Sequence, residues 1–226
     1  MYLAVAATFM EMRALERTLD PAVPCSRLVA GIGPMEMAHV LTLHLCRQQV
    51  LPDGVILFGV AGAYIREDGS GPDLLDLCLA EEEILADFGI CLADTVEPFR
   101  APELDACHRF RLDQTLLDRA GEALAGQGWA SRRGRFLTVQ CASGTTERGA
   151  MLAARYDGLC ENMEGAAAAR VCAAFDLPCL EIRAISNLVE DRDRGGWRLR
   201  EACARAGAGA AHVLHFLAGL PQNKQV

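Results

Sequence analysis

Short apolar runs alternate with segments of helical periodicity along the chain. Buried strands are predicted at the apolar runs 2–7, 26–33, 54–64, 73–83, 132–141 and 177–186. Apolar residues at helical spacing predict helices at 9–19, 34–49, 146–156, 164–175 and 199–220, and Pro34 suits the first turn of the second helix. Because strands that alternate with helices form a sheet covered on both faces, the pattern predicts a three-layer α/β/α sandwich around a mixed, largely parallel sheet.

Polar and glycine residues cluster where three of these strands end. Glu11 follows the first strand, a glycine-rich turn at residues 59–62 is expected to break the third, and Ser186 and Asn187 close the last. Ligands of a parallel sheet bind beyond the carboxyl ends of its strands, so these residues are candidates for one site. Singly, each has a plainer explanation: a solvated helix face for Glu11, turn geometry for the glycines, and a turn or cap for Asn187.

Glu164 is harder to explain by packing alone. It stands in "NMEGAAAA", between Met163 and a run of alanines that predicts a narrow, closely packed helix. A carboxylate at the start of a helix gains from the helix dipole, which is the structural explanation of this residue. Together with Glu11 and Asn187, however, it indicates a polar binding site.

Length and composition limit the function classes. The 226 residues, 51% of them hydrophobic, suffice for one sizeable core, and we expect a single domain over residues 1–226. The net charge of -8 argues against a nucleic acid or an anionic membrane surface as partner and favours a small molecule. No apolar segment approaches the roughly 20 residues that cross a bilayer, and the first residues lack the basic start of a signal peptide. The ten cysteines form no CxxC pair and lie in apolar runs, so we expect buried, reduced thiols and a cytoplasmic protein.

Motifs for common cofactors are missing from the sequence. "GIGP" lacks the third glycine of a dinucleotide fingerprint and the Lys-Ser/Thr of a phosphate loop. His212 and His215 are three residues apart, but no further ligand set accompanies them, so packing or surface positions are expected. We therefore expect neither a cofactor nor a metal.

Stretches distributed along the whole chain resemble the signatures of the purine nucleoside phosphorylase and nucleosidase superfamily. They are "ATFMEMRAL", "GIGPMEMA", "LFGVAGAY", "ENMEGAAAARVC" and "LEIRAISN". Within the superfamily, "AEEEILADFGI", "NMEGAAAA" and "ISNLVEDRDRGGW" are most similar to the futalosine hydrolases, and the methylthioadenosine/S-adenosylhomocysteine nucleosidases are nearer than any phosphorylase. The resemblance implies a nucleoside phosphorylase-like fold that cleaves the N-glycosidic bond of a purine nucleoside.

The resemblance also implies roles for individual side chains. Cleavage passes through an oxocarbenium-like sugar, so the site must place water at the anomeric carbon, hold the ribose and stabilise the departing base. By its match to the family motif, Glu11 would orient and deprotonate the water. Glu164, beside Met163, would accept hydrogen bonds from the ribose 2′- and 3′-hydroxyls.

Asn187 stands where the methylthioadenosine nucleosidases have the Asp of "ISD", which protonates adenine. An amide has no proton to give at neutral pH, but its NH₂ group can donate a hydrogen bond to N7 or to a 6-oxo oxygen. A 6-oxopurine leaves more easily as a hydrogen-bonded anion than adenine does. Asn187 therefore favours an inosine-type substrate such as futalosine.

Further matches concern the base pocket and the nucleophile. Val60 stands where a phosphorylase would carry a phosphate-binding hydroxyl, and its apolar side chain favours hydrolysis over phosphorolysis. The base-pocket or turn residues implied by the resemblance are Val60, Ala61, Gly62, Gly144, Thr145 and Ser186. For Thr145 or Thr146, a helix N-cap is an equally good explanation.

The expected reaction is hydrolysis of futalosine to dehypoxanthine futalosine and hypoxanthine, in menaquinone biosynthesis, with a purine nucleoside and water as the substrates. One alternative is a methylthioadenosine/S-adenosylhomocysteine or aminofutalosine nucleosidase, and another is a nucleoside-binding protein without turnover. The resemblance and the apolar content imply a homodimer. In it, residues 88–99 of a predicted loop at 87–105 would close the neighbour's 5′ pocket, while residues 190–196 would form a solvated charge run or a lid.

Overall fold

A mixed β-sheet lies at the centre of the molecule and carries helices on both faces. The computed structural model describes residues 1–66, 69–92, 95–99, 106–191 and 194–219. Its strands are β1 (Tyr2–Ala6), β2 (Cys25–Val29), β3 (Val55–Tyr64), β4 (Leu77–Leu85), β5 (Ile90–Cys91), β6 (Val96–Glu97), β7 (Arg109–Arg111), β8 (Ser131–Thr138), β9 (Gly158–Asn162) and β10 (Cys179–Val189). Its helices are α1 (Phe9–Thr18), α2 (Pro34–Cys46), α3 (Gln114–Gly126), α4 (Thr146–Tyr156), α5 (Gly165–Ala174) and α6 (Leu199–Leu217).

Strand pairing makes the sheet mixed and closes part of it. The pairs β1–β2, β1–β3, β3–β10, β4–β8 and β8–β9 are parallel. The pairs β4–β10, β3–β9 and β4–β7 are antiparallel. Because β10 pairs with both β3 and β4, the strands β3, β9, β8, β4 and β10 form a closed ring, from which β1 and β2 extend as open sheet.

Two apolar layers hold the helices on the sheet. On one face, α1, α3 and α6 cover a core that contains Phe58 of β3 and Ile182 of β10. On the other face, α2 and α5 pack around Leu57 of β3 and Met37 of α2. Successive residues of β3 thus supply opposite layers, as the alternation of a strand requires. The predicted three-layer sandwich around a mixed, largely parallel sheet is confirmed.

Most predicted elements are present, with shifts at their ends. Helix α4 spans the predicted residues 146–156, and Pro34 begins α2 as predicted. The apolar pattern does not predict α3, β7 or β9. The predicted loop at 87–105 contains the antiparallel pair β5–β6, and its residues 93, 94 and 100–105 lie outside the described part of the chain.

Two strands continue where the sequence predicts breaks. Strand β3 runs through residues 59–62, so the prediction of a glycine-rich turn there is wrong. Strand β10 runs through Ser186 and Asn187, with a bulge between Ile185 and Asn187. The two strands pair in parallel as far as Tyr64, and this ladder keeps the glycine backbone extended.

The ten cysteines are free thiols, but only part of them is buried as predicted. Cys46, Cys91, Cys107 and Cys141 are exposed. In the part of the chain that the structure describes, no helix combines the length and the apolar character needed to cross a membrane.

Candidate active site

A cavity of about 340 Å³ opens at the carboxyl ends of β1, β8 and β9 and along β3 and β10. Four predicted site residues from separate parts of the sequence line it together: Glu11, Met163, Glu164 and Asn187. The predicted base-pocket residues Val60, Ala61, Gly62 and Ser186 also line it. The long-range pairing of β3, β9 and β10 thus brings the predicted residues together in one site.

Thr145 and Gly144 are placed differently from the other candidates. Neither is among the described residues that line the cavity. The Thr145 side chain accepts a hydrogen bond from the Arg148 N–H at 3.2 Å and caps helix α4. For Thr145 the helix-cap explanation is therefore the one that the geometry supports.

Glu11 is a buried residue, with 4% of its surface exposed, and does not lie on a solvated helix face. The backbone N–H and the hydroxyl of Thr8 donate to Glu11 Oε2 at 2.9 and 2.7 Å. The N–H of Val60 donates to Oε1 at 3.1 Å. A carboxylate offers about four lone-pair sites. Because protein donors use three of them, one acceptor site remains for a molecule in the cavity.

Glu164 stands at the start of α5, but its carboxylate does not cap the helix. Asn162 does so instead, because its Oδ1 accepts from the N–H groups of Glu164 and Gly165 at 2.9 and 2.7 Å. Glu164 Oε1 accepts from the N–H of Gly33 at 3.0 Å, and Oε2 pairs with Arg183 Nη2 at 3.3 Å. Glu164 is the N-cap residue of α5 but makes no side-chain cap, and its carboxylate belongs to the cavity wall.

Arg183 is a buried cation that forms ion pairs with Glu164 and Glu181. Its Nε donates to Glu181 Oε1 at 2.8 Å, and its Nη1 donates to the Val60 carbonyl at 3.2 Å. Burial opposes its charge, but the carboxylates of Glu181, Glu164 and Glu11 outweigh burial and raise the pKa of Arg183. The guanidinium therefore stays charged and holds the Glu164 carboxylate in the wall of the cavity.

Glu83 of β4 and Glu181 of β10 form a second carboxyl pair beneath the cavity. Thr138 Oγ1 and Asn162 Nδ2 donate to Glu83 at 2.7 and 2.5 Å. Burial, and after it the charge of Glu181, raise the pKa of Glu83 well above its usual range. Glu181 Oε2 is buried and finds no donor among the described residues. A proton on Glu83 supplies that donor.

The amide of Asn187 is oriented by its neighbours. Its Nδ2 lies 3.1 Å from the carbonyl oxygen of Leu188, which can only accept a hydrogen bond. The nitrogen therefore faces Leu188, and Oδ1 faces the hydroxyl of Ser186 at 2.8 Å. The second N–H of the amide is left to donate elsewhere.

The glycines of β3 make room for these side chains. A Cβ on Gly59 would lie 2.8 Å from Arg183 Nη1 and collide with the Glu11 carboxylate. A Cβ on Gly62 would lie 3.1 Å from Asn187 Nδ2. These glycines serve the close approach of side chains and not a turn.

Residues outside the sheet complete the wall of the cavity. Met10, Ile32 and Trp197 contribute apolar surface. Burial, followed by the charge of Glu11, raises the pKa of the Cys203 thiol to about 12, so this cysteine stays protonated and is a poor nucleophile. Trp197 follows the predicted lid at residues 190–196, of which residues 192 and 193 lie outside the described chain.

The histidines of α6 do not form a metal site. His212 packs edge-on against Trp129, with 4.8 Å between the ring centroids. Over the described ranges, no group of three His, Cys, Asp or Glu side chains is arranged to hold a metal ion.

Comparison with known proteins assigns the family. Residues 11–217 match the model of the phosphorylase superfamily, and the chain belongs to this superfamily. It is 36% identical over 189 residues to the futalosine hydrolase of Thermus thermophilus, covering 83% of this chain and 80% of that one. It is 30% identical over 168 residues to the 5'-methylthioadenosine/S-adenosylhomocysteine nucleosidase of Staphylococcus saprophyticus, covering 74% and 69%. A futalosine hydrolase mutant structure from Helicobacter pylori shares the fold with a TM-score of 0.81 at 17% identity, covering 94% and 97%.

Arg183, Asn162 and Glu161 belong to the site but are not among the sequence candidates. Arg183 has a sequence signal, because it follows Glu181 by two residues inside the apolar run "LEIRAIS". Residues two apart share one face of a strand, so opposite charges at this spacing in a buried strand indicate an ion pair. Asn162 and Glu161 lie in a five-residue strand whose polar end has no pattern that separates it from a loop.

Proposed function

We propose that this chain hydrolyses the N-glycosidic bond of futalosine, which releases hypoxanthine and leaves dehypoxanthine futalosine in menaquinone biosynthesis. The observation that carries the proposal is the meeting of Glu11, Glu164 and the amide of Asn187 in one cavity. The 36% identity to a futalosine hydrolase over most of both chains supports it.

Glu11 is the general base of the proposed reaction. Its remaining acceptor site binds the attacking water and takes a proton from it, while the water oxygen bonds to the anomeric carbon. The electrons of the broken C–N bond pass into the base. The negative carboxylate also stabilises the developing positive charge on the ribose.

Glu164 binds the ribose hydroxyls in this scheme. The Gly33 N–H and Arg183 each engage one of its oxygens, which fixes the carboxylate and leaves acceptor capacity on both. Two hydroxyls can therefore donate to it at once, with Met163 beside it in the cavity wall. Hydrogen bonds to the ribose that tighten as the ring flattens contribute to the rate as well as to binding.

Asn187 stabilises the departing base. Its free N–H donates to N7 or O6 of hypoxanthine, which leaves as a hydrogen-bonded anion and takes its proton afterwards from water. Val60 lies beside Glu11 with an apolar side chain, where a phosphate would need a donor, and this favours water as the nucleophile.

A methylthioadenosine/S-adenosylhomocysteine or aminofutalosine nucleosidase is the second candidate. Its support is the 30% identity to such a nucleosidase and the apolar surface from Met10, Ile32 and Trp197, which suits a thioether substituent. A binding protein without turnover is disfavoured, because a ribose clamp alone does not need the buried carboxylate of Glu11.

The deciding experiment offers futalosine, aminofutalosine, inosine and methylthioadenosine side by side, with and without phosphate. Chromatography of the products should show hypoxanthine released from futalosine at a rate independent of phosphate. A requirement for phosphate would contradict hydrolysis. Release of adenine alone would contradict futalosine hydrolysis and support the second candidate.

We also propose that the protein acts as a homodimer. Large apolar side chains are exposed near the cavity and on the β5–β6 hairpin, among them Phe9, Met35, Phe88 and Ile90. Exposed large apolar side chains are common at protein interfaces. The predicted closure of the neighbour's 5′ pocket by residues 88–99 fits this exposure.

A further inference from the structure

Glu161 is a buried carboxylate in the wall of the cavity that has no part in the scheme above. Its Oε1 accepts from the N–H of Ser143 at 2.8 Å. Its Oε2 accepts from the hydroxyls of Ser143 and Tyr64 at 2.7 and 3.0 Å. Three of about four lone-pair sites are thus used, and the remaining one is on Oε1. Like Glu11, Glu161 offers one acceptor site to a ligand.

Strand register places Glu161 and Asn187 on either side of Gly62. Gly62 of β3 pairs with Glu161 of β9 on one side and with Asn187 of β10 on the other. Residues directly opposite each other on paired strands point to the same face, and two strand spacings separate the flanking backbones by about 10 Å. A Cβ on Gly62 would lie 3.1 Å from Asn187 Nδ2 and 3.6 Å from Glu161 Cγ, so the two side chains stand close to each other over this glycine in the wall of the same cavity.

A 6-oxopurine in the cavity matches the donor of Asn187 and the acceptor of Glu161. Its O6 and N7 accept hydrogen bonds, which suits the free N–H of Asn187, and its N1–H donates, which suits Glu161. Adenine reverses this edge, because N1 becomes an acceptor and the exocyclic group becomes a donor. The ionised Glu161 carboxylate, which three donors hold in place, has no proton to donate to N1 of adenine. Two acceptors would then face each other, so this side chain disfavours adenine.

We propose that Glu161 determines base specificity by accepting a hydrogen bond from N1–H of a 6-oxopurine, opposite Asn187 across Gly62. This inference rests on the proposed function and names the residue that selects a hypoxanthine over an adenine nucleoside. Ser143 and Tyr64 act as positioning residues that hold the carboxylate in its accepting orientation. Burial, and after it the neighbouring Glu161, raise the pKa of Tyr64 well above its usual range, so its hydroxyl remains a donor.

The test is the ratio of kcat/KM for futalosine to kcat/KM for aminofutalosine in Glu161→Gln. An amide can donate to the adenine N1, so we expect the ratio to fall by about 10- to 100-fold. Glu122→Gln removes an exposed carboxylate from α3 and should retain the wild-type preference. Tyr64→Phe keeps the carboxylate but removes one of the donors that position it, so the ratio should fall less than in Glu161→Gln. An unchanged ratio in Glu161→Gln, or an equal fall in Glu122→Gln, would overturn the proposal.

Binding of free bases to the wild-type protein tests the same contact without a variant. Hypoxanthine should bind at least 10-fold more tightly than adenine or 1-methylhypoxanthine, which lacks N1–H. Equal binding of hypoxanthine and 1-methylhypoxanthine would contradict the role of Glu161, even if Glu161→Gln fails to fold. If the protein cleaves no 6-oxopurine nucleoside but still prefers hypoxanthine, the proposed function fails and the assignment of Glu161 stands.

Discussion

The side chain of Glu11 has two roles, one in the capping box of α1 and one in the candidate active site. Thr8 and Glu11 form a capping box at the start of α1, which accounts for the sequence pattern completely at the level of the helix. The contact with the N–H of Val60 comes from a residue 49 positions further along the chain. Only the fold supplies this contact, and it leaves the carboxylate with one open acceptor site.

The variant Glu11→Gln tests the proposed base at the residue scale. The amide keeps the shape and the capping contacts but cannot take a proton from water, so we expect kcat to fall by about 10²- to 10⁴-fold. Binding of hypoxanthine should change little. Glu16→Gln, on the exposed face of the same helix, serves as the control and should keep full activity. Near-native turnover in Glu11→Gln would show that another group activates the water.

At the scale of elements, glycines explain why the sequence could not predict the course of β3. A glycine that serves a turn and one that admits a neighbouring side chain look alike in a single sequence. Gly59 and Gly62 belong to the second kind, because Arg183 and Asn187 approach their backbones. Those approaches depend on strands more than a hundred residues away, so local pattern cannot reveal them.

Two of the elements left out of the sequence prediction, α3 and β9, differ in how predictable they were. Helix α3 carries the signal of an amphipathic helix, with Asp113 as its N-cap and Leu116, Ala120 and Leu124 on its buried face. It was predictable from pattern alone. Strand β9 is only five residues long and ends in Glu161 and Asn162, and its burial depends on the ring of strands around it. Its residues therefore became site candidates only through the fold.

Gly165 tests how tightly α5 is seated on the carboxyl pair. A Cβ at this position would collide with carboxyl oxygens of Glu83 and Glu181, although alanine favours a helix over glycine by about 1 kcal/mol. We expect Gly165→Ala to lower the free energy of unfolding by about 1–3 kcal/mol. Gly209→Ala in α6 is the matched control, since its Cβ would meet the ends of the Leu77 and Ile182 side chains, at 3.3 and 3.9 Å, and no carboxylate. Equal thermal midpoints for the two variants would contradict the predicted collision.

At the scale of the whole molecule, the buried carboxyl pair makes stability depend on pH. The raised pKa of Glu83 means that the folded protein binds this proton more tightly than the unfolded chain does. The contribution is fully present below the unfolded pKa of about 4.3 and is lost as pH rises through the folded pKa. Glu83→Gln retains a donor toward Glu181 at every pH.

Thermal unfolding of Glu83→Gln and the wild type should therefore diverge as pH rises. At and below about pH 4, the difference between the two thermal midpoints should stay constant. Above that pH, the midpoint of Glu83→Gln should rise increasingly relative to that of the wild type. The exposed Glu122→Gln should follow the wild-type curve. Parallel curves for Glu83→Gln and the wild type across this range would show that Glu83 does not hold the proton.

The proposed dimer is the largest-scale prediction, because it joins the cavity to a second copy of the chain. Met35 is 76% exposed at the start of α2, next to the segment that positions Glu164, whereas Val50 is 83% exposed beyond the other end of that helix. Light scattering should give a mass about twice 24.4 kDa. Met35→Glu would place an unpaired carboxylate in the interface, so it should weaken association by at least 10-fold and reduce activity with it. Val50→Glu is the control and should change neither association nor activity. A monomeric wild type with full activity at working concentration would rule the dimer out.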